Sequence, residues 1–303
     1  MALRTGNPSG IEFGFVTPQH WRSWEELVEL WHFAEDTGWD SVWLMDHFLS
    51  MTGDETGSCF ELWTSLAAVA VHCPRLRIGS FVSSTTHRNP AVLAKQAVTV
   101  DHLSDGRLIL GVGAGWVARE HAAYGLDFPA PGERVDRAGE TLEILRLLET
   151  GERSDFTGRY YRLENAPFMP KPVNGHIPIL IGSKGRRMLR HVARYADYWE
   201  GGTTPDEIAQ LHAVVAAECR AIGRDPAEIR LLLEAVGTVY GDPFQSEDTL
   251  RRHVDTYWEA GIRSFLFNVG TGPLTATIRG ISEQVIPQLR EEYEDRQMIA
   301  DLR

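Results

Sequence analysis

The stretch from Leu76 to Trp116 limits the possible folds more than any other part of the chain. Leu76 to Val82 is an apolar, β-branched run that reads as a strand. It breaks into Ser83, Ser84, Thr85 and Thr86, where a strand would leave the core and present hydroxyls. Asn89 and Pro90 then start a helix, with Asn as the N-cap and Pro at the first helical position. Val92, Leu93, Val98 and Leu103 give that helix an apolar stripe, and Asp105-Gly106 turns the chain back. Leu108 to Val112 is a second strand, apolar on both faces, and it ends in Gly113, Ala114 and Gly115, where the backbone lies bare. Two such strands joined by a helix make a parallel βαβ unit.

The same alternation runs along the rest of the chain. Ile11 to Val16 and Ser41 to Met45 read as strands. Between them lies a helix that Ser23 and Glu26 cap, that carries Leu27, Leu30, Trp31 and Ala34, and that Gly38 stops. A helix from about Phe60 to Val71 leads into the third strand, and Leu108 to Val112 is the fourth. The rhythm then breaks: His121 to Pro131 reads as an irregular loop, Glu133 to Glu149 as a helix, and Phe156 to Tyr161 as a small hairpin. Residues from about 117 to 176 are therefore expected to be an insertion between strands four and five, a candidate lid or substrate wall. Strands resume at Ile177 to Ile181, Ala196 to Trp199, Ile229 to Tyr240 and Ser264 to Val269, each followed by a helix. Eight strands alternating with eight helices predict an α/β protein, a (β/α)8 TIM barrel forming a single domain over residues 1–303. A doubly wound sheet usually has fewer strands and a glycine fingerprint after the first, where this chain has Thr17-Pro18-Gln19-His20.

Charge and cysteine content narrow the partners. A formal charge of −12 argues against nucleic acid or an anionic membrane, both of which need a basic face. An anionic cofactor would need a local cationic or amide-lined site. Cys59, Cys73 and Cys219 have no metal-ligand or redox spacing, and their odd number suggests reduced thiols in a cytoplasmic protein. No charged leader precedes an apolar segment, and no apolar run is long enough to span a bilayer, so neither secretion nor membrane insertion is expected.

In a barrel, ligands bind at the carboxyl ends of the strands. The residues there are Thr17 and Gln19, Asp46 and His47, Ser83 to Thr86, Gly113 to Trp116, Gly182 to Gly185, Glu200, Gly237 and Thr238, and Asn268. Asp46-His47 is the sharpest titratable pair. The His can exchange a proton near neutrality and the adjacent carboxylate can orient it, whereas the competing reading makes Asp46 a loop cap and His47 a packing residue. Gly182-Ser183-Lys184-Gly185-Arg186-Arg187 offers free amides, a hydroxyl and cations to a phosphate, or is a common strand-to-helix turn with solvated arginines. Gly111, Gly113 and Gly115 lack the context of a dinucleotide fingerprint and suggest close backbone approach to a planar ligand, or tight packing. Phe15, Trp43, Phe48, Phe81 and Trp116 either wall a flat ring or belong to the core. The histidines show no metal-ligand pattern, and His121, directly after Glu120, reads as a polar loop residue.

Taken together, GFVTPQH, WLMDHF, GSFVSSTTHRNPAVLAKQAVTVDHLSDGRLILGVGAGW, EHAAYG, FTGRYYRLENA and PILIGSKGRRMLRHVARYADYW resemble the luciferase-like monooxygenase superfamily, and most closely its coenzyme F420-dependent oxidoreductases. The resemblance implies a deazaflavin or flavin lying across the strand ends and a non-proline cis peptide, here at Phe81-Val82, behind the ring. It also implies His47 as the active-site histidine, with Asp46 beside it contacting the ring. Phe81, Val82 and Ser83 would contact the cofactor, while Gly113, Ala114 and Gly115, with Gly182, Ser183, Lys184 and Gly185, would take its tail and phosphate. Phe15, Gln19 and Trp116 are expected to meet the substrate. The family's sugar-phosphate dehydrogenases have a catalytic glutamate where Trp116 stands and a cationic insertion before the seventh strand, for which this chain shows no counterpart. Glucose 6-phosphate is accordingly not the expected substrate.

The resulting expectation is an F420-dependent oxidoreductase acting on a small organic substrate as a homodimer, with no metal. The alternatives are an FMN-dependent monooxygenase using reduced flavin and oxygen, and a barrel that binds a cofactor without catalysis.

Overall fold

The computed structural model describes residues 10–235 and 241–301. Its elements run β1 (Glu12–Val16), α1 (Trp24–Asp36), β2 (Ser41–Leu44), α2 (Leu62–His72), β3 (Arg77–Ser80), β4 (Ser83–Ser84), α3 (Pro90–Leu103) and β5 (Leu108–Gly113). Next come α4 (Ala118–Tyr124), α5 (Pro131–Thr150), β6 (Arg153–Thr157), β7 (Arg162–Pro167), β8 (Ile179–Gly182), α6 (Arg186–Tyr195), β9 (Tyr198–Glu200) and α7 (Pro205–Ala221). The chain finishes with β10 (Arg230–Glu234), α8 (Glu247–Glu259), β11 (Ser264–Asn268), α9 (Ala276–Gly280) and α10 (Ile286–Asp301).

Eight strand positions pair in parallel in the order β3-β2-β1-β11-β10-β9-β8-β5, and β3 pairs with β5 to close the ring, so the fold is a (β/α)8 barrel. The third strand is broken after Ser80 by a cis peptide between Phe81 and Val82, the bond at which one was expected. Pairing resumes in β4 as Ser83 meets Val112 and Ser84 meets Gly113.

Local signals account for most helix starts. Ser23 and Glu26 cap α1 reciprocally, the Asn89 side chain accepts the Ala91 N–H ahead of α3 with Pro90 at its first position, and Ser246 accepts the Thr249 N–H at α8. The core has two layers. Val16, Trp43, Ile109, Leu180, Tyr198, Leu232 and Leu266 fill the barrel, and a larger cluster packs the helices onto its outside. The amino end of the barrel is closed by Glu12, which meets Arg230 at 3.2 Å and Arg77 at 3.5 Å, with Arg77 also donating to the Tyr198 hydroxyl.

The main departure lies after β5. Residues 121–124, expected in a loop, belong to α4, whose N-cap Val117 makes no side-chain hydrogen bond and so leaves no start signal, while Gly125 ends it at φ +67°. β10 ends at Glu234, and the Gly237 and Thr238 expected at the end of the seventh strand lie outside the described residues. Among the described residues no helix is long and apolar enough to cross a membrane.

Candidate active site

Because the barrel strands are parallel, their carboxyl ends open on one face, and there a cavity of about 570 Å³ is found. Met45, Asp46 and His47 reach it from the end of β2, Phe81, Val82 and Ser84 from the break in the third strand, and Gly113 to Trp116 from β5. Gly182 and Ser183 follow β8, Glu200, Glu234 and Asn268 end β9, β10 and β11, and Glu120 and His121 enter from α4. The segments around positions 46–47, 81–84, 113–116 and 182–183 thus share one wall-lined space.

Asp46 does not orient His47. Its carboxylate receives two Arg88 guanidinium N–H groups at 2.5 and 2.9 Å and the Ser84 N–H at 2.8 Å, with His87 Nδ1 at 3.5 Å. Burial opposes its ionisation, yet the contacts of His87 and Arg88 hold it well below the usual carboxylate range. His47 is held instead by Glu120, whose Oε2 lies 3.1 Å from Nδ1, while Oε1 accepts the N–H groups of Phe48 at 2.7 Å and Leu49 at 3.0 Å. Burial works against the charge on Glu120, but the bonds from His47, Leu49 and Phe48 keep its carboxyl below the ordinary range. The expected Asp46-His47 couple is thereby replaced by a His47-Glu120 couple, with Asp46 serving as an anchor for Arg88 and the strand-three exit.

His121, expected in a loop with no particular task, is buried and lines the cavity. Its Nδ1 lies 2.8 Å from the Val117 carbonyl and its Nε2 2.7 Å from Thr86 Oγ1, which in turn meets Ser84 Oγ at 2.7 Å. A carbonyl only accepts, so Nδ1 carries the proton toward Val117. A chain of hydroxyls and an imidazole therefore backs the third-strand exit.

Several other expected residues fall elsewhere. The Phe15 ring is buried outside the barrel, with Trp39 at 4.8 Å and Phe33 at 6.1 Å between centroids, so it does not meet a ligand in the cavity. Gln19 is spent on tying loops together: its amide donates to the carbonyls of Met45 at 2.9 Å and Phe60 at 3.2 Å and accepts the Met45 N–H at 2.8 Å. Trp116 stands at the rim, 69% exposed, edge-on to His47 with centroids 6.0 Å apart. Ser83 is buried beside the cavity, its hydroxyl without a hydrogen-bond partner among the described residues. Lys184 pairs with Glu207 at 3.2 Å, and the Gly185 N–H already donates to Ser183 Oγ at 3.1 Å, so neither lines the cavity.

The bare backbone has steric causes. A Cβ on Gly113 would come within 2.6 Å of Val82 Cγ2, whereas one on Gly182 would meet nothing closer than 3.6 Å and would project into the cavity. Glu200 and Glu234 sit together on the far wall. Burial and the neighbouring Glu234 push the Glu200 carboxyl up to about 7, and burial raises Glu234 too, against a hydrogen bond from Asn268. Among the described residues no group of three or more His, Cys, Asp or Glu side chains is arranged to hold a metal ion.

A sequence profile described as luciferase-like monooxygenase matches residues 11–298. An F420-dependent glucose-6-phosphate dehydrogenase of Amycolatopsis mediterranei is 37% identical over 174 residues, 57% of this chain and 51% of that protein. F420-dependent glucose-6-phosphate dehydrogenase 1 of Rhodococcus jostii is 33% identical over 239 residues, 77% of this chain and 70% of that protein. The chain thus spans about half the length of the first of these relatives. Among solved structures, an F420-dependent secondary alcohol dehydrogenase in complex with an F420-acetone adduct superposes with a TM-score of 0.79 at 21% identity, covering 93% of this chain and 99% of that one.

Proposed function

The chain belongs to the luciferase-like monooxygenase family, and from that premise we propose that it is a coenzyme F420-dependent oxidoreductase that passes a hydride between the deazaflavin and a small organic substrate. The observation that carries this reading is the convergence of His47, the Phe81-Val82 turn, Gly113 to Gly115 and Gly182 on one cavity at the carboxyl ends of the strands. The residues fit a planar ring. Met45, Phe81, Val82 and Ala114 supply apolar walls, and the missing Cβ at Gly182 leaves room where a side chain would intrude.

When bound, the deazaflavin supplies a carbon able to accept or release a hydride. The chain's part is to bind, orient and move a proton. Phe81, Val82 and Gly113 to Gly115 would hold the ring, with Gly182 and Ser183 toward the tail. Asp46 keeps the strand-three exit in shape through Arg88 and Ser84. Glu120 fixes His47 through Nδ1, which leaves Nε2 as the atom that gives or takes the proton accompanying hydride transfer. Trp116, at the rim beside His47, is the residue here that meets the substrate.

The relatives named above act on glucose 6-phosphate. Among the described residues no lysine or arginine lines this cavity, Trp116 stands at its rim, and Glu200 and Glu234 face inward, so the substrate is of another class. Single-domain organisation, with residues 117–176 as an outer wall, a cytoplasmic location in keeping with three free thiols, and a homodimer belong to the same reading. The exposed Val71 of α2 and Val92 and Leu103 of α3 support pairing through that side of the barrel.

Titration of the purified protein with F420 and with FMN tests the proposal. Micromolar F420 binding and turnover without oxygen consumption are expected. FMN binding with no F420 binding, or obligatory oxygen uptake, would establish the flavin monooxygenase reading instead.

A further inference from the structure

Glu200 and Glu234 end neighbouring parallel strands, with Leu232 of β10 in register with Glu200 of β9, and both side chains line the cavity. Among the described residues, no hydrogen bond reaches the Glu200 carboxylate, which lies over the bare backbone of Gly182, its Oε2 3.6 Å from where a Cβ there would sit. Glu234 has one weak partner, the Asn268 amide at 3.4 Å. The nearest cation, Lys184, is already paired with Glu207. The other acidic groups of the cavity are satisfied, Asp46 by Arg88 and Glu120 by His47 with two backbone amides. Two carboxylates that face the cavity with one weak donor between them and their nearest cation engaged by Glu207 form an unbalanced wall, and a bound molecule that supplies both a positive charge and N–H donors relieves it.

We propose that the Glu200-Glu234 wall selects a substrate bearing a cationic nitrogen, held on the side of the cavity opposite the His47-Glu120 couple, over a substrate with a phosphate or carboxylate at that place. The inference rests on reading this cavity as the substrate site. It supplies the basis on which this chain differs from relatives named for a sugar phosphate.

Three probes that share a benzyl group separate charge from fit: benzylammonium, benzyl alcohol and benzyl phosphate, titrated calorimetrically into the wild-type protein and into Glu200→Gln, Glu234→Gln and the double variant. The cation should bind about ten-fold more tightly than the alcohol, and the phosphate should not bind. Each single substitution should shrink that ratio and the double variant should abolish it. A second measurement needs no variant. Benzylammonium stays protonated at and below neutral pH, so its wild-type affinity should fall as pH drops through about 7 and Glu200 takes up a proton. The other titratable groups facing the cavity are Glu234 from β10 and, across it, His47, His87, His121 and Glu120; Asn268 and the Lys184-Glu207 pair complete the surroundings. The double variant removes the Glu200 and Glu234 part of that profile. Equal affinity for cation and alcohol, no binding of either at millimolar concentration, or a ratio unchanged in the double variant would overturn the inference. F420 titrated into the same preparations keeps the two proposals apart. Cofactor binding without cation preference removes this inference alone, and cation preference without F420 binding removes the proposed redox activity alone.

Discussion

The guanidinium of Arg88 is the counter-charge on which a buried carboxylate depends. Asp46 is 4% exposed and takes two charge-assisted hydrogen bonds from Arg88. Arg88→Met would leave it ionised without a cation, or protonated at a cost, and should destabilise the fold by about 3–5 kcal/mol in urea denaturation. Asp46→Asn with Arg88→Met should recover part of that loss, since no charge is then stranded. His47 calls for kinetics instead. His47→Ala should slow hydride transfer by about 100-fold or more with F420 affinity retained. Glu120→Gln keeps an acceptor for Nδ1 but removes the negative charge that balances a proton gained at His47, so rapid-mixing measurements should show a smaller loss, about ten-fold. Equal rates in His47→Ala and the wild type would deny it a catalytic role. Sequence adjacency suggested Asp46 as the partner of His47, but Arg88 and the Ser84 N–H already take the Asp46 carboxylate. The true partner lies 73 residues on, a distance at which no local pattern can speak. The pairing of Glu120 with a following His121 in an Ala-rich run from Ala118 to Ala123 was the available hint of a short helix presenting polar groups.

At the level of elements, the third strand shows why glycine is needed at some places and convenient at others. A Cβ on Gly79 would fall 2.2 Å from the Trp43 ring, and one on Gly111 would fall 2.0 Å from the Ser80 carbonyl oxygen. The ring can shift and the backbone cannot do so cheaply. Gly79→Ala should therefore cost about 1–3 kcal/mol by chemical denaturation, and Gly111→Ala more, to the point of poor recovery of folded protein. Gly182→Ala is the contrasting case: its Cβ would make only ordinary contacts, 3.6 Å to Glu200 and 3.7 Å to Val82, which predicts stability within about 0.5 kcal/mol of wild type, but weaker F420 binding because the added methyl enters the cavity. A Gly182→Ala protein with unaltered F420 affinity would move the cofactor's tail away from β8. Elements bounded by side-chain caps or by Gly and Pro were legible in advance, as at Ser23, Asn89-Pro90 and Ser246, because a cap is a contact within four residues. α4 was not, since Val117 offers no cap, and the outer packing of Phe15 depends on how α1 and the turn after it fold back to bring Phe33 and Trp39 onto its ring.

For the whole molecule, the eightfold alternation was readable because each strand and helix carries its own periodicity, and closure follows once eight parallel strands must all be covered. What no local pattern states is which residues of eight separate strand ends share a wall, and the pairing of Glu200 with Glu234 is such a case. It leaves a signature in the stability of the entire fold. The Glu200 carboxyl is raised from 4.5 to about 7 in the folded protein. A group whose folded value is raised contributes stability that is fully present below its unfolded value and is lost as pH rises through the folded one. Between pH 4.5 and about 7 the wild type should therefore lose stability from this group. The full shift is discounted because the side chain is only partly buried, which leaves about 1–3 kcal/mol. Glu200→Gln cannot ionise and escapes the loss. Other titrating groups, including His176, which Asp197 and Glu149 raise to about 9, and the depressed Asp46 and Glu120, are common to both proteins and cancel in the difference. Melting curves at pH 5 and pH 8 should thus show Glu200→Gln gaining on the wild type by about 2–6 °C on going to the higher pH. A difference that stays constant, or that favours the wild type at pH 8, would mean that the Glu200 carboxylate is compensated in the folded state and that the wall it forms with Glu234 is not short of positive charge.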